Sequence, residues 1–82
     1  MSDESIAARI ERLVAEEHQL RDREPSDSRA ALEADAGRLR AIEVELDVCW
    51  DLLRQRRAKR EFGDDPNAAA PRDVGTVEGY VG

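Results

Sequence analysis

A run of basic residues near the middle of the chain has the side-chain chemistry best suited to binding. Residues 54–60 contain five cations and no acid, namely Arg54, Arg56, Arg57, Lys59 and Arg60. Guanidinium groups bind carboxylates and phosphates through paired hydrogen bonds. On a helix these side chains would surround most of the axis, because each residue advances by about 100°. The cluster is therefore the predicted partner-binding site. Pairing within the chain, an acidic protein surface and, behind these, a nucleic-acid backbone stay open as its targets.

Potential metal ligands are adjacent at one place, in Glu16-Glu17-His18. Carboxylate-bridged metal bundles usually carry Glu-x-x-His, which turns both ligands inward one helical turn apart. Ala15 stands three positions before His18, so the spacing does not match. We expect no metal and no cofactor, and we keep a small metal-binding helical bundle that uses Glu17 and His18 as the second alternative function.

Nucleophilic catalysis finds little support in the sequence. Cys49 is the single cysteine and no histidine lies near it along the chain, whereas an activated nucleophile needs an adjacent base or a lowered pKa. A Gly-x-Ser-x-Gly motif and a phosphate-binding glycine loop are also missing from the sequence. We expect Cys49 to pack as a small hydrophobic residue, and we expect the protein not to be an enzyme.

Length and composition indicate a small acidic protein that needs a partner. The chain has 82 residues and a formal net charge of −6. A core of that size rarely contributes more than about 3–5 kcal/mol of net stability. One cysteine and one histidine do not provide a disulfide framework or a zinc site, which leaves self-association. The sequence shows no apolar run of signal-peptide or membrane-spanning length, so we expect a soluble, cytoplasmic protein that does not use a membrane as partner.

A first helix is predicted over about residues 4–23, with Asp3 or Ser5 as its cap. Apolar residues recur at steps of three and four, the spacing of one helical face. This buried stripe consists of Ile6, Ile10, Leu13, Glu17 and Leu20. Because a buried carboxylate is costly unless it is paired, we expect Glu17 either to meet an arginine or to reach solvent at the rim of the core.

A second, longer helix is predicted over about residues 29–62. Pro25 disfavours helical backbone at the residue before it, which makes residues 24–28 the corner. Gly63 is the expected left-handed residue after the helix. Gly37 is either a tolerated weak spot or a place where two helices approach closely. The buried side of this helix is predicted to consist of Leu32, Ala36, Leu39, Ile42, Leu46, Cys49 or Trp50, and Leu53.

The unequal helix lengths leave part of the second helix uncovered. Folding back at the corner places Ile6 near Leu46, so the first helix ends at about Cys49 and the second overhangs by roughly three turns. The overhang begins with large apolar side chains, which need a second subunit or the tail, residues 64–82, to cover them. The candidate residues for dimer or tail packing are Cys49, Trp50, Leu53, Val77 and Tyr80.

The chain also resembles a known family over nearly its whole length. The motifs that carry the resemblance are Ile10-x-x-Leu13-Val14-x-Glu16-Glu17-His18-x-Leu20, Glu43-Val44-Glu45-Leu46-Asp47-x-Cys49-Trp50-Asp51-Leu52-Leu53-Arg54-Gln55-Arg56-Arg57-Ala58, Asp65-Pro66 and Val77-Glu78-Gly79-Tyr80. They are similar to the small actinobacterial domain-of-unknown-function family number 2630. The resemblance implies a soluble helical protein with no assigned activity. It supplies no catalytic or ligand-binding residues.

Taken together, these features predict an all-α protein with one small domain. Residues 1–63 form a two-helix antiparallel hairpin with a long second helix, and residues 64–82 form an extended C-terminal tail. Two hairpins are expected to dimerise into a four-helix arrangement. The predicted function is a non-enzymatic protein–protein interaction or regulatory module. Its expected partners are a second copy of the chain, which gives a homodimer, and an acidic protein surface. The first alternative is a nucleic-acid or ribosome-associated factor that uses the basic cluster.

Overall fold

The computed structural model describes residues 2–23 and 28–72 and consists of two long helices that form a hairpin. Helix α1 spans Asp3–Asp22, helix α2 spans Arg29–Glu61, and a 3-10 turn follows at Pro66–Ala68. The part of the chain that is described contains no strand, and the predicted all-α hairpin with a long second helix is confirmed. None of its helices is both long and apolar enough to cross a membrane.

Two predicted features fall outside the described residues. Residues 24–27 of the predicted corner are among them, and so are residues 73–82 of the predicted tail, including Val77 and Tyr80. The predicted helices, 4–23 and 29–62, differ from the bounds of α1 and α2 by a single residue at three of their four ends.

Helix α1 is capped by Ser2, and not by Asp3 or Ser5 as predicted from the sequence. The Ser5 backbone N–H donates to Ser2 Oγ over 3.1 Å, and the Ser2 backbone N–H donates to Ser5 Oγ over 3.0 Å. This reciprocal pair satisfies two donors that the first helical turn leaves without partners. Asp3 is thereby released from capping and is free to interact at the end of the hairpin.

Helix α2 begins at a serine cap and ends at a glycine. Ser28 Oγ accepts the Ala31 backbone N–H over 3.3 Å. At the other end Gly63 has a φ of +77°, the left-handed conformation that glycine adopts without a steric cost. The Asp64 N–H then donates to the Lys59 carbonyl over 2.7 Å and the Gly63 N–H to the Arg60 carbonyl over 3.2 Å, the two bonds of a Schellman motif.

The core lies between the two helices and is built from few residues. Its buried members are Ile6, Ile10 and Leu13 from α1 with Ile42, Cys49 and Leu52 from α2. The sequence placed Leu32 and either Cys49 or Trp50 on the buried side of α2; Cys49 is buried, whereas Leu32 is 48% exposed and Trp50 is 49% exposed. Leu52, only 2% exposed, takes the core position instead. The face of α2 that meets α1 is therefore rotated away from Trp50.

The register of the hairpin also differs from the predicted one. Asp3, at the start of α1, forms ion pairs with Arg56 and Arg60 of α2, and near the corner Arg23 pairs with Asp35 over 3.1 Å. The helices are thus antiparallel, and α1 reaches well beyond Cys49, where the sequence analysis ended its coverage. The predicted overhang of three turns is wrong, because Arg56 and Arg60, which lie in the predicted overhang, pair with Asp3 in the first turn of α1.

Gly37 provides a test of helix propensity in this hairpin. A methyl group added at Gly37 would meet no atom within 4 Å, so the close-approach explanation has no support in the hairpin. Gly37→Ala should therefore stabilise the fold by about 0.5–1 kcal/mol, which raises the melting temperature by about 2–8 °C in a chain of this size. Gly63→Ala is the matched control and should lower it, because its φ is +77°. Thermal unfolding followed by circular dichroism decides; a lower melting temperature for Gly37→Ala would contradict the assignment.

Candidate interaction surface and the Arg56 clasp

Arg56 joins three segments of the chain at the far end of the hairpin. Its Nε donates to Asp3 Oδ1 of helix α1, and its Nη1 donates to the Pro66 carbonyl over 3.2 Å and to Asn67 Oδ1 over 3.1 Å. Only 8% of the residue is exposed. We call this set of contacts the Arg56 clasp. It takes Arg56 out of the predicted partner-binding surface and gives it a structural role.

Three of the other four cations of the basic cluster also meet acids of the same chain. Arg60 Nη2 lies 2.9 Å from Asp3 Oδ2, and Arg57 Nε lies 3.0 Å from Glu61 Oε1 one helical turn on. Arg54 Nη2 is 3.8 Å from Asp51 Oδ1. Lys59 is partly buried. The predicted basic patch is therefore largely neutralised within the molecule, and the side chains of Arg54 and Arg57 are its most exposed members, at 57% and 78%.

The pKa of Asp3 is lowered because its carboxylate accepts hydrogen bonds from two guanidinium groups. The hydrogen bond from Arg60 makes the largest contribution and that from Arg56 the next, and both favour the ionised carboxylate. The sequence analysis noted Asp3 only as a cap and as an acid suited to the helix N-terminus. Nothing in the local pattern links it to residues more than fifty positions away.

A second polar group is buried on the side of α2 that faces the 3-10 turn. Asp51 is 2% exposed, and its Oδ2 accepts from Gln55 Nε2 over 2.8 Å and lies 3.3 Å from Arg72 Nε. Gln55 also donates to the Ala70 carbonyl over 2.8 Å, and Ala69 packs against the core. Residues 66–72 are thus fastened along this side of α2, and we call it the clasp side.

Cross-helix ion pairs line another edge of the hairpin. Arg38 donates from Nε and Nη2 to the two carboxylate oxygens of Glu16, over 2.5 and 2.8 Å. This bidentate contact lowers the pKa of Glu16 and raises that of Arg38. Glu17, the stripe residue of the sequence analysis, is partly buried and lies 3.8 Å from Arg21. Of the two expectations for Glu17, pairing with an arginine is the one observed, and the arginine is Arg21. Arg38 pairs with the neighbouring Glu16.

A further apolar surface lies on a different side of α2 from the clasp side and is only partly covered, because Leu46 and Leu53 there also pack against the core while Trp50 does not. Leucines recur there every seventh residue, at Leu32, Leu39, Leu46 and Leu53, with Trp50 between the last two. A seven-residue repeat keeps side chains on one face of a helix that packs along another helix. We call Leu39, Leu46, Trp50 and Leu53 the Trp50 flank. The leucines are partly buried and Trp50 is half exposed. This heptad spacing is visible in the sequence and could have identified the flank.

Two residues weighed for chemistry occupy ordinary positions. Cys49 is buried in the core, and its burial raises the pKa of the thiol, so the nucleophilic thiolate is disfavoured. Of the two roles predicted for Cys49, dimer or tail packing, its 1% exposure favours the second, because Ala69 of the predicted tail packs against the core that contains it. His18 is exposed on α1. Within residues 2–23 and 28–72 no three histidine, cysteine or acidic side chains form a group that could hold a metal ion, and no pocket opens.

Comparison with known proteins agrees with the resemblance seen in the sequence. Residues 2–82 match the family described as protein of unknown function DUF2630. The chain belongs to the DUF2630 family. It is 48% identical over 81 residues to the uncharacterized proteins Rv0898c of Mycobacterium tuberculosis and Mb0922c of Mycobacterium bovis, an alignment that covers 99% of this chain and 92% of each relative. No solved structure matches.

The Arg56 clasp predicts unequal effects for two neighbouring arginines. Arg56→Ala removes hydrogen bonds to Asp3, Asn67 and a backbone carbonyl, and should lower the free energy of unfolding by about 2 kcal/mol. Arg57→Ala removes one exposed ion pair and should change it by less than about 0.5 kcal/mol. Urea unfolding of both variants measures the difference. Equal effects would show that the clasp does not stabilise the fold.

The two lowered carboxyl pKa values predict loss of stability in acid. Asp3 and Glu16 bind protons less readily in the folded chain than in the unfolded one, so stability rises with pH through their titration. Their contribution is present above the ordinary carboxyl pKa of about 4 and disappears as the pH falls through the folded values. Urea unfolding between pH 7 and pH 3 should show this decline, and Asp3→Asn should flatten it. An identical slope in Asp3→Asn and the parent would exclude Asp3 as a source.

Proposed function

We propose that this DUF2630 protein is a non-enzymatic protein-interaction module that binds another polypeptide with its Trp50 flank. The observation that carries the proposal is a tryptophan that is 49% exposed, set among leucines at heptad spacing. A half-exposed indole beside partly buried leucines resembles the centre of a protein interface, where tryptophan contributes more binding energy than most residues.

The position of residues 66–72 supports this assignment. Their contacts run to Asp51, Gln55 and Arg56, which lie on the clasp side, so they do not cover Trp50. A partner helix can therefore approach the Trp50 flank without displacing the clasp. Arg54 and Arg57 border the flank and suit acidic side chains on that partner. The proposed working surface is thus the Trp50 flank with these two arginines, and Arg56 is not part of it.

Cross-linking from a single position inside cells tests the proposal. A photoreactive amino acid at Trp50 should yield a discrete adduct with a polypeptide that mass spectrometry identifies, and adding Leu46→Asp should reduce it strongly. The same amino acid at Glu33, an exposed position of α2 away from the flank, is the matched control and should give little or none. Equal yields at the two positions, or no adduct at Trp50, would reject the Trp50 flank as a binding surface.

The nucleic-acid alternative has weaker support and its own test. Five basic side chains lie within one stretch of α2, but Arg56 is buried and the side chains of Arg57 and Arg60 pair with Glu61 and Asp3. A chain of net charge −6 is also repelled by polyanions. We expect no mobility shift of RNA or DNA even at low salt. A salt-sensitive shift that Arg54→Glu and Arg57→Glu abolish would favour the alternative instead.

A further inference from the structure

Charges along the Trp50 flank are divided at the tryptophan. Glu43 and Asp47 precede Trp50, and Arg54 and Arg57 follow it. Glu43 and Arg57 each stand seven residues from Trp50, while Asp47 and Arg54 stand three and four residues away. At 3.6 residues per turn these spacings place all four charges on the same side of α2 as the indole. Within seven residues of Trp50 this surface is thus acidic before the indole and basic after it.

From this arrangement we propose that the occupant of the Trp50 flank is a second copy of the chain, with the two α2 helices antiparallel and a two-fold axis beside Trp50. The inference rests on the proposed interaction role and names its partner. A two-fold axis there brings Glu43 of one copy to Arg57 of the other, and Asp47 to Arg54. Leu46 of each copy then faces Leu53 of the other, which closes an apolar seam around the two indoles.

The same charges disfavour a parallel arrangement of the two α2 helices. In a parallel pair each residue faces its own copy, so Glu43 would meet Glu43 and Arg57 would meet Arg57. Like charges at facing positions of paired helices are unfavourable, and they select orientation and partner in helical assemblies. The antiparallel pair converts every one of these contacts into an attraction. Self-complementarity of this kind is what a two-fold interface between identical chains requires.

The ion pairs that Glu43 and Arg57 form within one chain are weak enough to be replaced by ion pairs with a second copy. Glu43 lies 3.4 Å from Arg21, with both side chains more than half exposed, and Arg57 lies 3.0 Å from Glu61 with comparable exposure. Exposed ion pairs contribute little because water and salt screen them. A second copy that covers Trp50 and the leucines would bring these charges together in a less hydrated setting, where the same attraction is stronger.

Small size gives the chain a reason to self-associate. The buried core has six apolar members, and a single core in a chain of this length contributes little net stability. Residues 39–61 of α2 extend for about 33 Å at 1.5 Å per residue, so pairing them would add a second apolar seam along most of the helix. The result is a four-helix arrangement in which the two α2 helices form the centre.

Charge reversal tests both the partner and the orientation. Sedimentation velocity from about 1 to 200 µM should show a monomer–dimer equilibrium for the parent chain. Glu43→Arg and Arg57→Glu should each weaken the dimer by at least about tenfold, because each places two like-charge contacts in the antiparallel seam. The double variant Glu43→Arg/Arg57→Glu should restore the dimer to within about threefold of the parent. Glu33→Arg, the same change on the same helix outside the seam, should leave association unchanged.

Cysteine cross-linking provides a second, independent measurement. In a Cys49→Ala background, mixing Glu43→Cys and Arg57→Cys chains should give a disulfide-linked heterodimer under mild oxidation, whereas each variant alone should remain largely uncross-linked. Circular dichroism melting of every variant shows that the hairpin is intact. Cross-linking of Glu43→Cys with itself, to the same extent as in the mixture, would overturn the antiparallel register.

Two further outcomes would overturn the inference and separate it from the proposed function. A parent chain that is monomeric up to 200 µM, or single charge reversals without effect on its dimer, excludes this self-pairing. If the adduct formed from position 50 in cells then contains a different protein, the interaction role stands and only its partner changes. If that adduct is also absent, the interaction role fails together with the self-pairing.

Discussion

The guanidinium group of Arg56 is the constraint on which the rest of this structure depends. A buried cation must be surrounded by acceptors or the fold loses the free energy of its hydration. Asp3, the Pro66 carbonyl and Asn67 supply those acceptors from three separate segments, so satisfying one side chain sets the register of α1 against α2 and fastens the residues after α2. Asp51 extends the same arrangement through Gln55 and Arg72. The far end of the hairpin is therefore closed by polar contacts, while apolar packing holds its middle.

This constraint explains why a dense cluster of arginines does not give the molecule a basic surface. The first turn of α1 brings Asp3 to Arg56 and Arg60, and the last turn of α2 brings Glu61 to Arg57. Arg56, Arg57 and Arg60 are thus each met by an acid placed within reach by the fold, in keeping with the net charge of −6. What the cluster offers to a partner is therefore a short arc of α2 beside Trp50, and not the whole circumference that the sequence suggested.

Local patterns predicted the elements of this fold better than their mutual arrangement. The three- and four-residue steps of Ile6, Ile10 and Leu13 indicate one buried face, and Gly63 marks the end of α2, because both signals depend on neighbouring residues alone. The rotation of α2 could not be predicted in the same way, since apolar side chains at positions 49, 50, 52 and 53 span an arc of about 160°, wide enough for more than one choice of the side chain that faces α1. Which of them turns inward depends on partners outside the local pattern, namely the donor Arg72 for Asp51 and the acceptors Asp3 and Asn67 for Arg56. The choice of Glu16 over Glu17 as the partner of Arg38 follows from the same register.

The burial of Asp51 beside an exposed Trp50 reverses the usual preference of these two residue types. Turning α2 by about 100°, one residue, would move the carboxylate toward water and the indole toward the interior, which a simple hydrophobic core would favour. The clasp prevents that rotation, because Arg56 and Asp51 would lose their partners together. The hairpin thus uses its polar contacts to hold an apolar surface outward. Departures of this kind from local rules concentrate at functional sites, and here the departure coincides with the heptad leucines and with the change of charge along α2. Three properties of one helix face therefore converge on the Trp50 flank, and the proposed surface for another helix would account for all of them.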